Sequence, residues 1–143
     1  MKSDMDDPFE LKRFLDAQDP VYESVVAELR RGYKTGHWMW FVFPQLEGLG
    51  QSWMAQKFGI SSRAEAEAFL AHPILGSRLR ECTSLVMAVE GRSAQEIFGG
   101  VDTLKFRSSM TLFAQVAGDE GLFSEALLKY FEGRGDQLTL ARL

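Results

Sequence analysis

Asp102, Lys105 and Ser109 recur at helical spacing inside an otherwise apolar stretch, Val101 to Ala117. At about 100° per residue, Val101, Phe106, Met110, Leu112, Phe113 and Val116 share one broad arc, and the three polar residues fall within it. A lysine on an apolar face needs an anion, because burying an unpaired ammonium costs several kcal/mol. Asp102, three residues earlier, would supply it as an internal brace; a ligand phosphate or carboxylate would supply it from outside. Desolvated lysines also serve as general bases or nucleophiles, which makes Asp102, as the carboxylate acid, and Lys105 the catalytic candidates.

A second stretch, Lys34 to Gln45, sets Trp38, Trp40, Phe41 and Phe43 between His37 and Gln45. Such rings either fill a core or wall a flat ligand, with the polar ends hydrogen-bonding it. The substrate-binding candidates are therefore His37, Trp38, Trp40, Gln45 and Ser109, with Lys57 or Lys34 meeting a phosphate. The expected partner is a small phosphorylated or nucleotide-like metabolite. Arg30, Arg31 and Lys34 read as solvated cations at a helix end, and Arg78, Arg80 and Arg92 are scattered singly. Cys82 reads as a small buried hydrophobe and His72 as a helix cap.

Other chemistries lack their residues. Gly48-Leu49-Gly50-Gln51-Ser52-Trp53 opens like a dinucleotide fingerprint but has neither the third glycine nor a preceding strand. One cysteine and two histidines, His37 and His72, give no zinc-ligand spacing, and there is no nucleophile elbow or phosphate-binding loop. No metal or cofactor is expected. A net charge of −4 argues against nucleic acid as a partner. The odd cysteine fits a reducing compartment, and neither a signal-like apolar segment nor a membrane-length apolar run is present; the expectation is a cytoplasmic chain with no membrane partner.

The elements that would position these groups are helical. With 143 residues and 45% hydrophobic content, the chain can bury about 68% of its unfolded surface in one core. Asp7-Pro8 predicts an N-cap and first turn for a helix through Phe14 to Asp19-Pro20; Val21 to Arg31 predicts a second, stopped by Gly32. The His37 to Pro44 run is apolar on both faces and reads as a short helix or buried extended segment, since no second strand-like run exists to pair with it. Ser52 to Phe58, Ser62 to Ala71 with a capping-box spacing at Glu65, Pro73 to Val89, Ser93 to Phe98, Val101 to Ala117, Leu122 to Phe131 and a last turn over Asp136 to Leu143 complete the series. There is no internal repeat or linker. The expectation is all-α: a single compact multi-helical domain over 1–143, of roughly seven to nine short helices, with 1–6 as a flexible start.

Asp7-Pro8-Phe9, the block Gly36-His37-Trp38-Met39-Trp40-Phe41-Val42-Phe43-Pro44-Gln45, Arg78-Leu79-Arg80-Glu81-Cys82 and Leu104-Lys105-Phe106-Arg107-Ser108-Ser109-Met110-Thr111-Leu112-Phe113 together resemble the signature blocks of the bacterial family known as domain of unknown function 1810. The resemblance covers most of the chain and implies a small, mainly helical protein with no assigned activity. A calpastatin label attached to some members does not suit a sequence this rich in core-forming residues, since calpastatin is a disordered inhibitor. Met54-Ala55-Gln56-Lys57-Phe58, followed by a helix holding Lys105 and Met110, is similar in order to the NADAR superfamily, whose members cleave N-glycosidic bonds in ADP-ribose-type or riboflavin-precursor substrates. Gly50 stands where that family places a glutamate, and the Asp102–Lys105 spacing also differs. That similarity implies a small enzyme cleaving a nucleotide or ADP-ribose-like metabolite; the residues alone equally allow a non-catalytic metabolite- or protein-binding module.

Overall fold

A computed structural model describes residues 6–143, so the expected flexible start lies almost wholly outside the described residues. The described residues form ten helices: α1 (Lys12–Gln18), α2 (Tyr22–Arg31), α3 (Met39–Val42), α4 (Trp53–Lys57), α5 (Arg63–Ala71), α6 (Leu75–Ala88), α7 (Ala94–Phe98), α8 (Gly100–Val116), α9 (Leu122–Phe131) and α10 (Gln137–Arg142). The fold is all-α, and the only strand-like pairing among the described residues is an isolated parallel bridge between Leu46 and Ile60. No helix among them is long and apolar enough to cross a membrane.

Several helices begin where a side chain takes up their terminal backbone groups. Asp7 does not open a helix at Pro8: its carboxylate accepts the amides of Leu11 (2.7 Å) and Lys12 (2.9 Å), so α1 starts one turn later than the Asp-Pro pair predicts. Gly32 ends α2 in the left-handed conformation at φ 72°, its amide reaching the Glu28 and Leu29 carbonyls. The Ser62 hydroxyl caps α5 as expected, but Glu65 does not return the bond. Its carboxylate accepts the amide and hydroxyl of Ser61 at 2.8 and 2.7 Å, and the Arg13 guanidinium at 2.8 Å. The reciprocal capping box is instead Ser93 with Glu96, at the start of α7. His72 Nδ1 accepts the amides of Ile74 and Leu75 and thereby caps α6.

Helix α8 runs through the centre, packed against α3, α5, α7, α9 and α10. Phe106, Met110, Leu112 and Phe113 on it are fully buried. Around them the aromatic rings touch edge to face: Phe43 on Phe106 at 5.1 Å and 88°, and Phe14 on Phe69 at 5.0 Å and 88°. Each such pair adds about 0.5–1.5 kcal/mol to its area burial. The apolar run before Pro44 takes the short-helix form, as α3, and its end is held by the buried Gln18 amide donating to the Phe41 carbonyl at 2.7 Å. Gly76 lets α6 lie directly on the end of α5; a Cβ there would fall 2.1 Å from the Leu70 carbonyl oxygen.

Arginines tie these layers together. Arg13 donates to the Phe9, Lys57 and Gly59 carbonyls as well as to Glu65. Arg80 grips Glu120 with two bonds, and Arg92 donates to the carbonyl of Gly32, whose amide closes α2. Arg78, read from the sequence as one of three scattered arginines, donates to Gln18 and Asp19 and lies over the Tyr22 ring. A planar fork with five donors suits such carbonyl-rich positions better than an ammonium would.

Candidate functional site

The site begins with a carboxylate the sequence reading passed over. Glu28, on α2, is 7% exposed. One of its oxygens accepts the amides of Thr35 (2.7 Å) and Gly36 (2.9 Å) and the Trp38 indole N–H (3.0 Å). Burial pushes its pKa up, but the hydrogen bonds from Gly36, Thr35 and Trp38 together outweigh that and hold it below the ordinary carboxyl value. The loop after α2 is thus wrapped around one anion. Gly36 is required there, because a Cβ would fall 2.8 Å from the Trp38 ring and 3.1 Å from the second Glu28 oxygen.

The wrapped loop delivers Lys34. Its amide donates to the Ile97 carbonyl, and its ammonium reaches Asp102 at 2.7 Å and the Gly36 carbonyl at 2.5 Å. The Lys34 side chain is only 8% exposed, so it is not the solvated helix-end cation that its neighbours Arg30 and Arg31 suggest. Asp102, in the first turn of α8, faces two lysines: Lys34 on one oxygen and Lys105 at 3.8 Å on the other. The longer distance exceeds a hydrogen bond. Lys105 is therefore steadied by charge, not bound, and its ammonium also lies 5.9 Å from the centre of the Trp40 ring.

Lys105 lines a cleft of about 280 Å³ between α8, the Gln45–Gly50 loop and α10. Gln45 and Ser108 supply polar wall, Leu49, Val101, Leu104 and Leu138 apolar wall, and Asp136 the far side. Behind it, Trp40, Phe43, Gln45, Phe58 and Lys105 enclose a void of about 10 Å³, room for about one water molecule.

Of the residues singled out from the sequence, Trp40, Gln45 and Lys105 meet at this cleft and its inner void, with Asp102 one ion pair behind. The others lie elsewhere. Trp38 is 2% exposed and bonded to Glu28. His37 is exposed on the turn before α3 and does not line the cleft. Lys57 is exposed, lies over the Trp53 and Phe58 rings, and lines a separate depression with Arg13 and Gln56. Ser109 is fully buried with its hydroxyl unpaired among the described residues.

Ser108 was missed, and so was the ion pair of Lys34 with Asp102. Ser108 takes the place expected of Ser109, and the signal was present: Val101, Leu104, Lys105 and Ser108 recur at i, i+3, i+4 and i+7, a second face of α8 distinct from the core face of Phe106, Met110 and Phe113. Lys34 was expected to meet a phosphate or cap the end of α2; its pairing with Asp102 had no signal, since it depends on the Glu28-centred loop.

A family model described as "Protein of unknown function (DUF1810)" matches residues 8–143. Among solved structures, the chain is similar to the conserved hypothetical protein Rv1873 from Mycobacterium tuberculosis, at 59% identity and a TM-score of 0.95, covering 96% of this chain and 98% of that one. No curated protein matches.

Proposed function

Because the chain belongs to the DUF1810 family of proteins of unknown function, we propose its function from the site itself: the cleft beside Lys105 binds a small phosphorylated or nucleotide-like metabolite. The observation that carries this is the sharing of one carboxylate by two ammonium groups. Lys34 takes the closer position on Asp102, at 2.7 Å against 3.8 Å for Lys105. Within the Lys34–Asp102–Lys105 group one positive charge is left over, next to the Trp40 ring, and a ligand anion would balance it. Gln45 supplies an orienting amide and Leu49, Val101, Leu104 and Leu138 the apolar wall that such a ligand uses.

The size narrows the class. At about 280 Å³ the cleft lies just under the roughly 300–1,000 Å³ of drug-sized sites, which suits a mononucleotide or smaller phosphorylated compound. A dinucleotide would extend over the rim. N-glycosidic cleavage, implied by the similarity to the NADAR superfamily, would need Asp102 to deliver a proton to the leaving group. Both its oxygens face lysine ammonium groups, an arrangement suited to holding Lys105, so binding without turnover is the better-supported reading.

Incubation with mononucleotides, NAD and ADP-ribose, followed by product analysis and by titration calorimetry, separates the two. Stoichiometric binding without product is the expected result. Product formed by the wild type and abolished in a folded Asp102→Asn variant would establish the enzyme reading instead.

A further inference from the structure

We propose that the ligand of this cleft carries, besides its anion, an N–H donor that Asp136 accepts, as the exocyclic amine of a nucleobase would provide. The inference rests on the reading of the cleft as a nucleotide-like metabolite site and adds the group that selects among such metabolites.

Asp136 faces the same cleft as Lys105. One of its oxygens accepts the Thr139 amide at 2.9 Å and the Thr139 hydroxyl at 2.7 Å, capping α10. Its own amide donates to the Thr111 hydroxyl at 2.9 Å, and that hydroxyl in turn donates to the Arg107 carbonyl at 2.8 Å, so the residue is fastened to α8. The other carboxylate oxygen has no hydrogen-bond partner among the described residues. A carboxylate held by two bonds, on a backbone anchored by a third, does not readily turn away when a ligand covers it. Any ligand that does so without donating a hydrogen leaves a desolvated charged acceptor, whereas a donor gains a charge-assisted bond. Beside its polar Gln45 and Ser108, the cleft offers apolar wall: Val101, Leu104 and Leu138 are 68%, 64% and 63% exposed. A flat base against these side chains would present its amine to Asp136 and its phosphate to Lys105. Selection of this kind, through an acceptor left unpaired by the wrong ligand, discriminates more sharply than shape alone.

The test compares AMP with purine riboside 5′-monophosphate, which has the same phosphate and ring but no N–H donor on the base, by titration calorimetry. The expected result is tighter binding of AMP by on the order of tenfold or more. In Asp136→Asn the ratio should fall towards one while the melting temperature stays close to wild type, because asparagine caps a helix as well as aspartate does. Equal affinities for the two nucleotides, with binding lost in Lys105→Ala, would overturn the Asp136 assignment and leave the anion site standing. A preference that survives Asp136→Asn would also overturn it. Binding of neither nucleotide would overturn both the assignment and the cleft reading beneath it.

Discussion

The Lys34 ammonium sits 2.7 Å from the Asp102 carboxylate, joining the loop after α2 to the first turn of α8, with side chains 8% and 21% exposed. Such a pair contributes little compared with an apolar replacement of both partners, yet costs a good deal when only one is removed. Lys34→Met should destabilise the protein by about 2–3 kcal/mol. Adding Asp102→Leu should recover part of that loss, because the two residues share one interaction. Urea unfolding of the two single variants and the double variant measures the coupling directly.

Glu28 gives the fold an acid-sensitive point. Its folded-state pKa lies below the ordinary 4.5. A carboxyl depressed on folding stabilises the native state at pH values above its unfolded pKa, and that contribution is lost as pH falls through the lower, folded value. Glu28→Gln should cost about 1–3 kcal/mol at pH 7. The gap between variant and wild type should narrow as pH drops below 4.5, and denaturant midpoints at pH 7 and pH 3 would show it. A gap of equal size at both pH values would mean that the charge on Glu28 contributes nothing.

The neighbouring serines of α8 should behave oppositely. Ser109 is fully buried with an unpaired hydroxyl among the described residues, so Ser109→Ala removes a desolvated group and should leave stability unchanged or raise it by about 1 kcal/mol. Ser108 lines the cleft. Ser108→Ala should leave the melting temperature near wild type but weaken nucleotide binding several-fold. Paired thermal melts and titrations of the two variants check both halves.

Cys82 should be chemically silent. Burial chiefly pushes its thiol up to about 12, so almost no thiolate exists at neutral pH. Iodoacetamide at pH 8 should leave the folded protein unmodified over hours and label it rapidly in denaturant. Mass spectrometry reads the difference.

The helices were legible because their signals are local. Gly32 at the end of α2, Ser62 at the start of α5 and the apolar spacing of α6 and α9 each report on neighbours within a turn or two. The start of α1 was misplaced because Asp7 reaches forward to the amides of Leu11 and Lys12 instead of capping at once. The aromatic block before Pro44 could be assigned to burial but not divided, since Trp38 and Trp40 differ only in which way one turn of α3 points them. Trp38 faces Glu28 and Trp40 faces Lys105. Asp102 and Lys105 were visible as an oddity on α8, whereas the pairing of Lys34 with Asp102 was not, because the burial of Lys34 is created by a carboxylate elsewhere in the chain. Sequence spacing finds groups on one helix; it does not find the loop that a distant anion folds around them.

Whether Lys105 is the anion contact of the cleft is decided by a thermal-shift titration with mononucleotides and small phosphorylated metabolites. Wild type should melt higher as ligand is added, by mass action. The shift should disappear in Lys105→Ala and shrink in Trp40→Ala, and it should persist in His37→Ala and Lys57→Ala, whose side chains do not line the cleft. A shift retained in Lys105→Ala, or lost in His37→Ala, would rule out Lys105 as that contact and move the site away from α8.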